Sequence, residues 1–375
     1  MTDNSAANIK AGKFVDPLKD WPNDDLMVRK ETRAIWRQNR PTAFRVLDWP
    51  ELRQEFELHD APASRGKRAS RIQGLLSVAL AGLGIIVLAV TTVLPAEALH
   101  AVTLAALLLM FLGGGLAIAH RLLLSSRDVW LGHRYWAERL RQLHFQSLLV
   151  HFDLVCAAIT DRKHLAELHR LRGVWLDDFK SEARDPRAQI KEICEDRAAT
   201  RTWLRPDWHE ARSFRAEGPN AEALFEALGK QRIGIQYHYA KLNLGDDIYS
   251  PSVRTRLLKG VASAMTGLVV GIALIGIVTL AIGHPVLGIG LSGWTMLVGV
   301  ASAIGLTSRA TNDGLQAEAD DERCQWYFEA VGNIKERFES ADSVGRLVAL
   351  RQLEEVAYRD LRLFLRAHKA ANFET

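Results

Sequence analysis

Four runs of about 20 apolar residues, set in two pairs in opposite halves of the chain, constrain the fold more than any other feature. The first pair runs from Gly74 to Leu94, turns through Pro95 and returns from Ala101 to Ala119. The second runs from Gly260 to Ile282, turns at Gly283-His284-Pro285 and returns from Val286 to Leu306. None of the four contains Asp, Glu, Lys or Arg. A bilayer core offers no water to backbone N–H and C=O groups, so a run of this length crosses it as an α-helix that satisfies them internally. The expected fold class is an all-α membrane protein with two transmembrane helical hairpins. Each hairpin is followed by long cytoplasmic amphipathic helices that form a bundle.

The mean hydropathy of −0.05 conceals this split. The spans carry no charge, while the remainder holds 48 Lys+Arg and 44 Asp+Glu. Charge beside the spans sets orientation. Arg65, Lys67, Arg68 and Arg71 precede the first span, and Arg121 and Arg127 follow the second. Arg254, Arg256 and Lys259 precede the third, and Arg309 follows the fourth. Neither turn contains Lys or Arg. The positive-inside rule then places both turns outside and the long polar segments, with both termini, in the cytoplasm of a cell whose inner membrane holds the chain. No apolar stretch precedes Gly74, so the first span is expected to act as its own insertion signal. Cys156, Cys194 and Cys324 are expected as free thiols, since none lies in a Cys-x-x-Cys pair. A formal charge of +4 suits an anionic leaflet and does not suggest nucleic acid.

The order along the chain is a polar N-terminal cytoplasmic segment (1–70), a first unit (71–180), a linker (181–220) and a second unit (221–375). In the first segment Trp21, Trp36 and Trp49 sit among charges, and Pro41 and Pro50 limit it to short helices. After the second span, Val129, His133, Trp136, Leu140, Leu143, Ser147, Val150 and Leu154 form an a/d-like seam. Leu165, Leu168, Leu171, Trp175 and Phe179 form another, with Asp161 placed to cap its helix. Pro186, Pro206 and Gly218-Pro219 mark the linker. A helix is expected from Ala221 to Asn243. After the fourth span, Cys324, Tyr327, Val331, Ile334 and Phe338 make the seam of a long helix starting near Ala310. Ser340 to Gly345 reads as a turn, and the last helix carries Leu347, Leu350, Leu353, Val356, Leu361 and Phe364. Tyr135 and Glu138 parallel Trp326 and Glu329, an aromatic three residues before Glu in each half, which together with the repeated hydropathy suggests duplication.

Catalytic signatures are absent: no Gly-rich phosphate loop, His-Glu-x-x-His or nucleophile elbow occurs, and no cofactor is expected. His164 and His169 have the wrong spacing for one helix face and read as surface histidines. Asp177-Asp178, Asp246-Asp247, Asp320-Asp321 and Glu354-Glu355 read as solvated faces or caps. No ionisable residue lies at mid-depth in the spans, which argues against a proton-coupled transporter. Small residues are abundant there: Ser263, Gly267 and Gly271 every four positions, Gly113 and Gly114 in the second span, Gly293 in the fourth. Small faces let helices approach closely. They serve either packing within one four-helix unit or packing between copies of the chain. Trp294, near the middle of the fourth span and away from the usual interfacial belt, reads as a packing residue or the lining of a constriction.

The layout resembles the SLATT family, two-transmembrane units associated with nucleotide-second-messenger synthases and nucleotide sensors in bacterial conflict systems. The likeness rests on each hairpin with its following aromatic-and-Glu helix. It rests also on the segment Arg232-Ile233-Gly234-Ile235-Gln236-Tyr237-His238-Tyr239 before the second hairpin. The resemblance implies a tandem membrane effector of antiphage systems, without catalytic residues, that self-associates and forms pores or disturbs the lipid bilayer. It also implies a separate nucleotide-sensing or nucleotide-synthesising partner. The alternatives are a constitutive membrane scaffold for a cytoplasmic partner and, less favoured, a small channel.

Overall fold

The computed structural model describes residues 23–122, 126–182, 185–208, 217–245 and 250–371. Apart from one isolated bridge between Val286 and Ile289, all regular structure among them is helical. Among the described residues the helices begin with α1 (Lys30–Asn39) and α2 (Pro41–Leu47), both short, followed by α3 (Pro50–Val90). Pro41 and Pro50 each stand in the first turn of their helix, where no N–H is needed. The short helices expected up to residue 70 therefore end at Pro50. From there α3 runs unbroken for 41 residues into the first apolar run, with Pro62 inside it. The carbonyl freed by Pro62 belongs to Leu58, which is 63% exposed, so its lost partner is not missed in a dry core.

A 3-10 turn (Thr91–Val93) leads to α4 (Ala96–Leu122). Then come α5 (Ser126–Val150), α6 (Phe152–Ala158) and α7 (Arg162–Ser181). Asp161 caps α7 by accepting from the Lys163 N–H at 2.8 Å. In the segment read as a linker, α8 (Pro186–Glu195) is capped by Asp185 and packs on α5. Trp203 and Trp208 from the same segment are buried. Its apolar residues are too sparse to show as a periodic stripe, yet Ile190, Ile193 and both tryptophans enter the core. Next are α9 (Pro219–Leu228), a π-helical turn (Gly229–Gly234) and α10 (Ile235–Asn243). Asp246 and Asp247 lie outside the described residues.

The third apolar helix is α11 (Pro251–Ile282), capped by Ser250 and ended by left-handed Gly283. The fourth, α12, spans Leu291–Leu315, so it starts later than Val286. Pro285 and the positive φ angles of Leu287 and Gly288 keep 283–290 out of the helix. The long helix expected from Ala310 is broken at Gln316 (φ 53°), where α12 gives way to α13 (Ala317–Ser340). Asp342 then caps α14 (Ser343–Ala370) by accepting from the Gly345 N–H at 2.8 Å.

Four helices are long and apolar enough to cross a membrane: α3 beyond its polar half, α4, α11 and α12. They pack in a row, α4 on α3, α3 on α12 and α12 on α11. The residues outside them build a polar helical core. Its main apolar cluster joins α2, α5, α7, α9, the π turn, α13 and α14, and includes Leu47, Leu140, Trp208, Phe225, Val331 and Leu353. A second cluster joins α5, α8 and α14 through Trp130, Trp136, Ile193, Tyr358 and Leu365.

Candidate functional site

The apolar helices and the polar core each place sequence-selected residues in a definite setting. Within the row, Gly113 is an intrachain contact: a Cβ there would stand 2.7 Å from the Ala81 nitrogen and 2.9 Å from the Ser77 carbonyl. Gly84 does the same on the facing side against Met110 and the Ala106 carbonyl. The α3–α12 contact depends on Gly299, whose Cβ would stand 2.7 Å from that of Ala89, and on Gly82 facing Thr307. Ser263, Gly267 and Gly271 on α11 are exposed, and neither glycine has a neighbour where a Cβ would go. Gly114 is likewise open, and Gly293 meets only the adjoining Ile289. Packing within one chain thus uses Gly82, Gly84, Gly113 and Gly299, and leaves the α11 stripe unfilled. Trp294 lies in the first turn of α12, with its Cβ 3.7 Å from where a Gly276 Cβ would stand, and packs against α11.

The polar core is organised by the π turn and α10. Arg232, on the π turn, is 2% exposed. It reaches Asp25 Oδ2 at 2.6 Å and Glu354 Oε1 at 2.8 Å, and lies over the Phe145 ring at 4.3 Å. The wider π turn sets Arg232 and Gln236 on the same inward face. Gln236 donates to Asn23 Oδ1 (3.0 Å) and Asp25 Oδ2 (2.9 Å) and accepts from the Tyr327 hydroxyl (2.8 Å). On the other side, Arg141 lies 2.9 Å from Asp25 and 2.7 Å from Glu138, which Arg134 also holds at 2.5 Å. Burial alone would raise the Glu138 carboxyl, but Arg134 and Arg141 outweigh it and bring it down to about 2. Glu354 has the opposite balance: burial wins over Arg232 and its carboxyl is raised. Nearer the apolar helices, Arg323 binds Asp320 (3.2 Å) and Asp360 (2.6 Å), while His368 stands 3.4 Å from Asp320. Burial opposes the Asp320 charge, but Arg323 and His368 hold its carboxyl far below the usual range.

These groups surround a cavity of about 420 Å³. Its wall carries Arg29, Lys67, Arg134, Arg141, Arg232 and Arg323 against Asp24, Asp60, Glu138 and Asp360, with Phe56, Trp130, Tyr239, Tyr327 and Phe364 between them. The acids Asp25, Glu354 and Asp320 stand behind, each buried. Arg232, Gln236 and Tyr239 of the pre-span segment therefore all line one site.

The two aromatic-and-Glu motifs are not equivalent. Tyr135 is buried and Glu138 lies in the ion network, whereas Glu329 is exposed and has no ion pair among the described residues. The inward residue of the second motif is Tyr327. The α13 seam of Cys324, Tyr327, Val331, Ile334 and Phe338 faces the core, which turns Glu329 out. Of the paired acids, Asp177 and Asp178 are exposed as expected. Asp320 and Glu354 correct the solvated reading: one member of each pair turns into the core, where a cation meets it. His164 is 2.6 Å from Asp161 beside the α7 cap. The three cysteines are free, and burial pushes the Cys156 and Cys324 thiols up to about 12.

Arg172 is a residue that periodicity missed. It is 1% exposed, donates to the carbonyls of Val46 (2.6 Å) and Asp48 (3.1 Å), and lies 5.1 Å over the Trp49 ring. It satisfies carbonyls left open at the end of α2. Burial brings its guanidinium down to about 10. Comparison with protein-family models, with curated proteins and with solved structures finds no match to this chain.

Proposed function

We propose that the chain is an inner-membrane effector that self-associates through α11 and thereby makes the bilayer permeable, an assembly driven by a partner at its cytoplasmic core or by high protein density alone. The carrying observation is the open row of apolar helices, which leaves Ser263, Gly267 and Gly271 outward at its α11 end. Among the spans α11 packs chiefly on α12, and its small-residue stripe is open to a second copy. A single row encloses no water path and has no charge at mid-depth, so permeability in this reading arises only between copies. In this reading the polar core lies in the cytoplasm, the side that the charge flanks favour, and α3 joins that core to the first span without a break. A partner that senses or synthesises a nucleotide would then act on the core. The test is dye leakage from vesicles carrying the purified chain. Wild type leaks, and Gly267→Leu/Gly271→Leu inserts but does not. A chain that assembles and never leaks, under any protein density, belongs to the scaffold reading instead.

A further inference from the structure

Among the described residues, the ion network around the cavity leaves one lining cation over. Glu138 is held by Arg134 and Arg141, Asp60 by Arg134 at 3.5 Å, and Asp360 by Arg323 at 2.6 Å. Asp24 accepts the backbone N–H groups of Val28 and Arg29. Lys67 is half-buried and has no carboxylate at ion-pair distance among the described residues; its Nζ lies 5.5 Å from the centre of the Phe364 ring. Arg71, Arg134 and Arg323 add positive charge around it, and the acid set against them, Asp320, is already bound by Arg323 and His368. Beside Lys67, Gly66 lets α3 approach α5 so closely that a Cβ would stand 2.5 Å from that of Trp130. Trp130 lines the same cavity, stacks edge-on to Phe364, and has a buried indole N–H without an acceptor among the described residues. A half-buried lysine and a buried indole N–H both stand without an acceptor, and an anion beside them would accept from both.

We infer that the Lys67 corner of this cavity binds a phosphate-bearing anion between Lys67, Arg134 and Arg323. Guanidinium forks match phosphate oxygens, and the lysine supplies a compact charge. A volume of about 420 Å³ takes a small phosphorylated molecule or a headgroup. Lys67 lies seven residues before Gly74 on one continuous helix, so about 10 Å separates it from the apolar run. At that depth the phosphate can come from an anionic lipid or from a soluble molecule.

The inference is independent of the effector reading, because binding is measured with no permeability readout. Thermal unfolding of the full chain in detergent is followed against pyrophosphate, and unfolding in nanodiscs is compared between phosphatidylcholine with and without phosphatidylglycerol. Saturable stabilisation by pyrophosphate identifies a soluble ligand, and stabilisation confined to phosphatidylglycerol identifies a lipid. In either arm Lys67→Met should weaken the effect about tenfold or more, the loss of one charge-assisted contact, while Lys67→Arg retains it. Without ligand, Lys67→Met should be at least as stable as wild type, since it removes an unpaired charge. The site is overturned if neither probe stabilises the wild type or if Lys67→Met responds as wild type does. It is overturned also if Lys67→Met no longer folds, which would make Lys67 a structural partner.

Discussion

Arg232 and Glu354, 122 positions apart in the chain, meet at 2.8 Å where neither side chain is more than 2% exposed. Their contact ties the π turn ahead of the third apolar helix to the last helix of the polar core. Removing the cation strands the buried Glu354 carboxyl and leaves Asp25 to Arg141 and Gln236. Arg232→Met is expected to destabilise the detergent-solubilised protein by about 3–5 kcal/mol. Glu354→Gln should cost less, because the amide keeps an acceptor and Arg232 keeps Asp25. Thermal unfolding checks the order, and equal losses would contradict it.

Arg172 acts through backbone rather than through an acid. Arg172→Met leaves the Val46 and Asp48 carbonyls buried and unpaired, a loss of about 1–3 kcal/mol. The damage should concentrate at α2 and the start of α3. Limited proteolysis or hydrogen exchange should show these residues opening first, with α13 and α14 still protected.

Acid should loosen the α3–α5 contact. His59 and His133 face each other with Nδ1 atoms 3.1 Å apart. Burial lowers both, and the charge of His133 lowers His59 further, against a partial pull from Glu55. Burial also drives His144 well below its ordinary value. The unfolded chain therefore takes up more protons than the folded one as pH falls below about 6.5, so this stability is full above that pH and is lost below it. His133→Gln and His144→Leu should each flatten the dependence of unfolding temperature on pH between about 6.5 and 5. An unchanged slope in both would contradict the assignment.

The glycines of the spans should separate into two classes. Gly113→Leu drives a side chain into the α3 backbone and should abolish folding or insertion, beyond the ~1–3 kcal/mol of ordinary overpacking. Gly267→Leu meets open space and should leave insertion and monomer stability unchanged. Membrane fractionation with thermal unfolding in detergent distinguishes them.

The apolar helices were legible because an uncharged apolar run of a bilayer's length suits few settings besides a bilayer. The seams of α7 and α13 were legible from period, and Asp161 from its place before one of them; that of α5 was legible only in part, since Val129 is exposed, Leu154 lies on α6 and residues 139–149 are buried on every side. The continuity of α3 was not: the segment up to residue 70 read as short helices, whereas one helix runs on from Pro50 and the exposure of Leu58 makes Pro62 harmless within it. Nor was the ion network. Asp25, Glu354 and Asp320 differ from solvated acids only by the arginines that meet them, and most of those lie far off in sequence. Arg232 and Gln236 stood out in the pre-span segment, but their inward aim depends on a π turn that no spacing rule shows. The small residues of α11 resembled those of α3 and α4 until their neighbours were placed.

Membrane potential in cells expressing the full chain is the most direct test of the effector reading. The account predicts that wild type collapses the potential and that Gly267→Leu/Gly271→Leu, present in the membrane at the same level, preserves it. A wild-type chain that assembles in the membrane without any loss of potential, or a double variant that depolarises as wild type does, would contradict it.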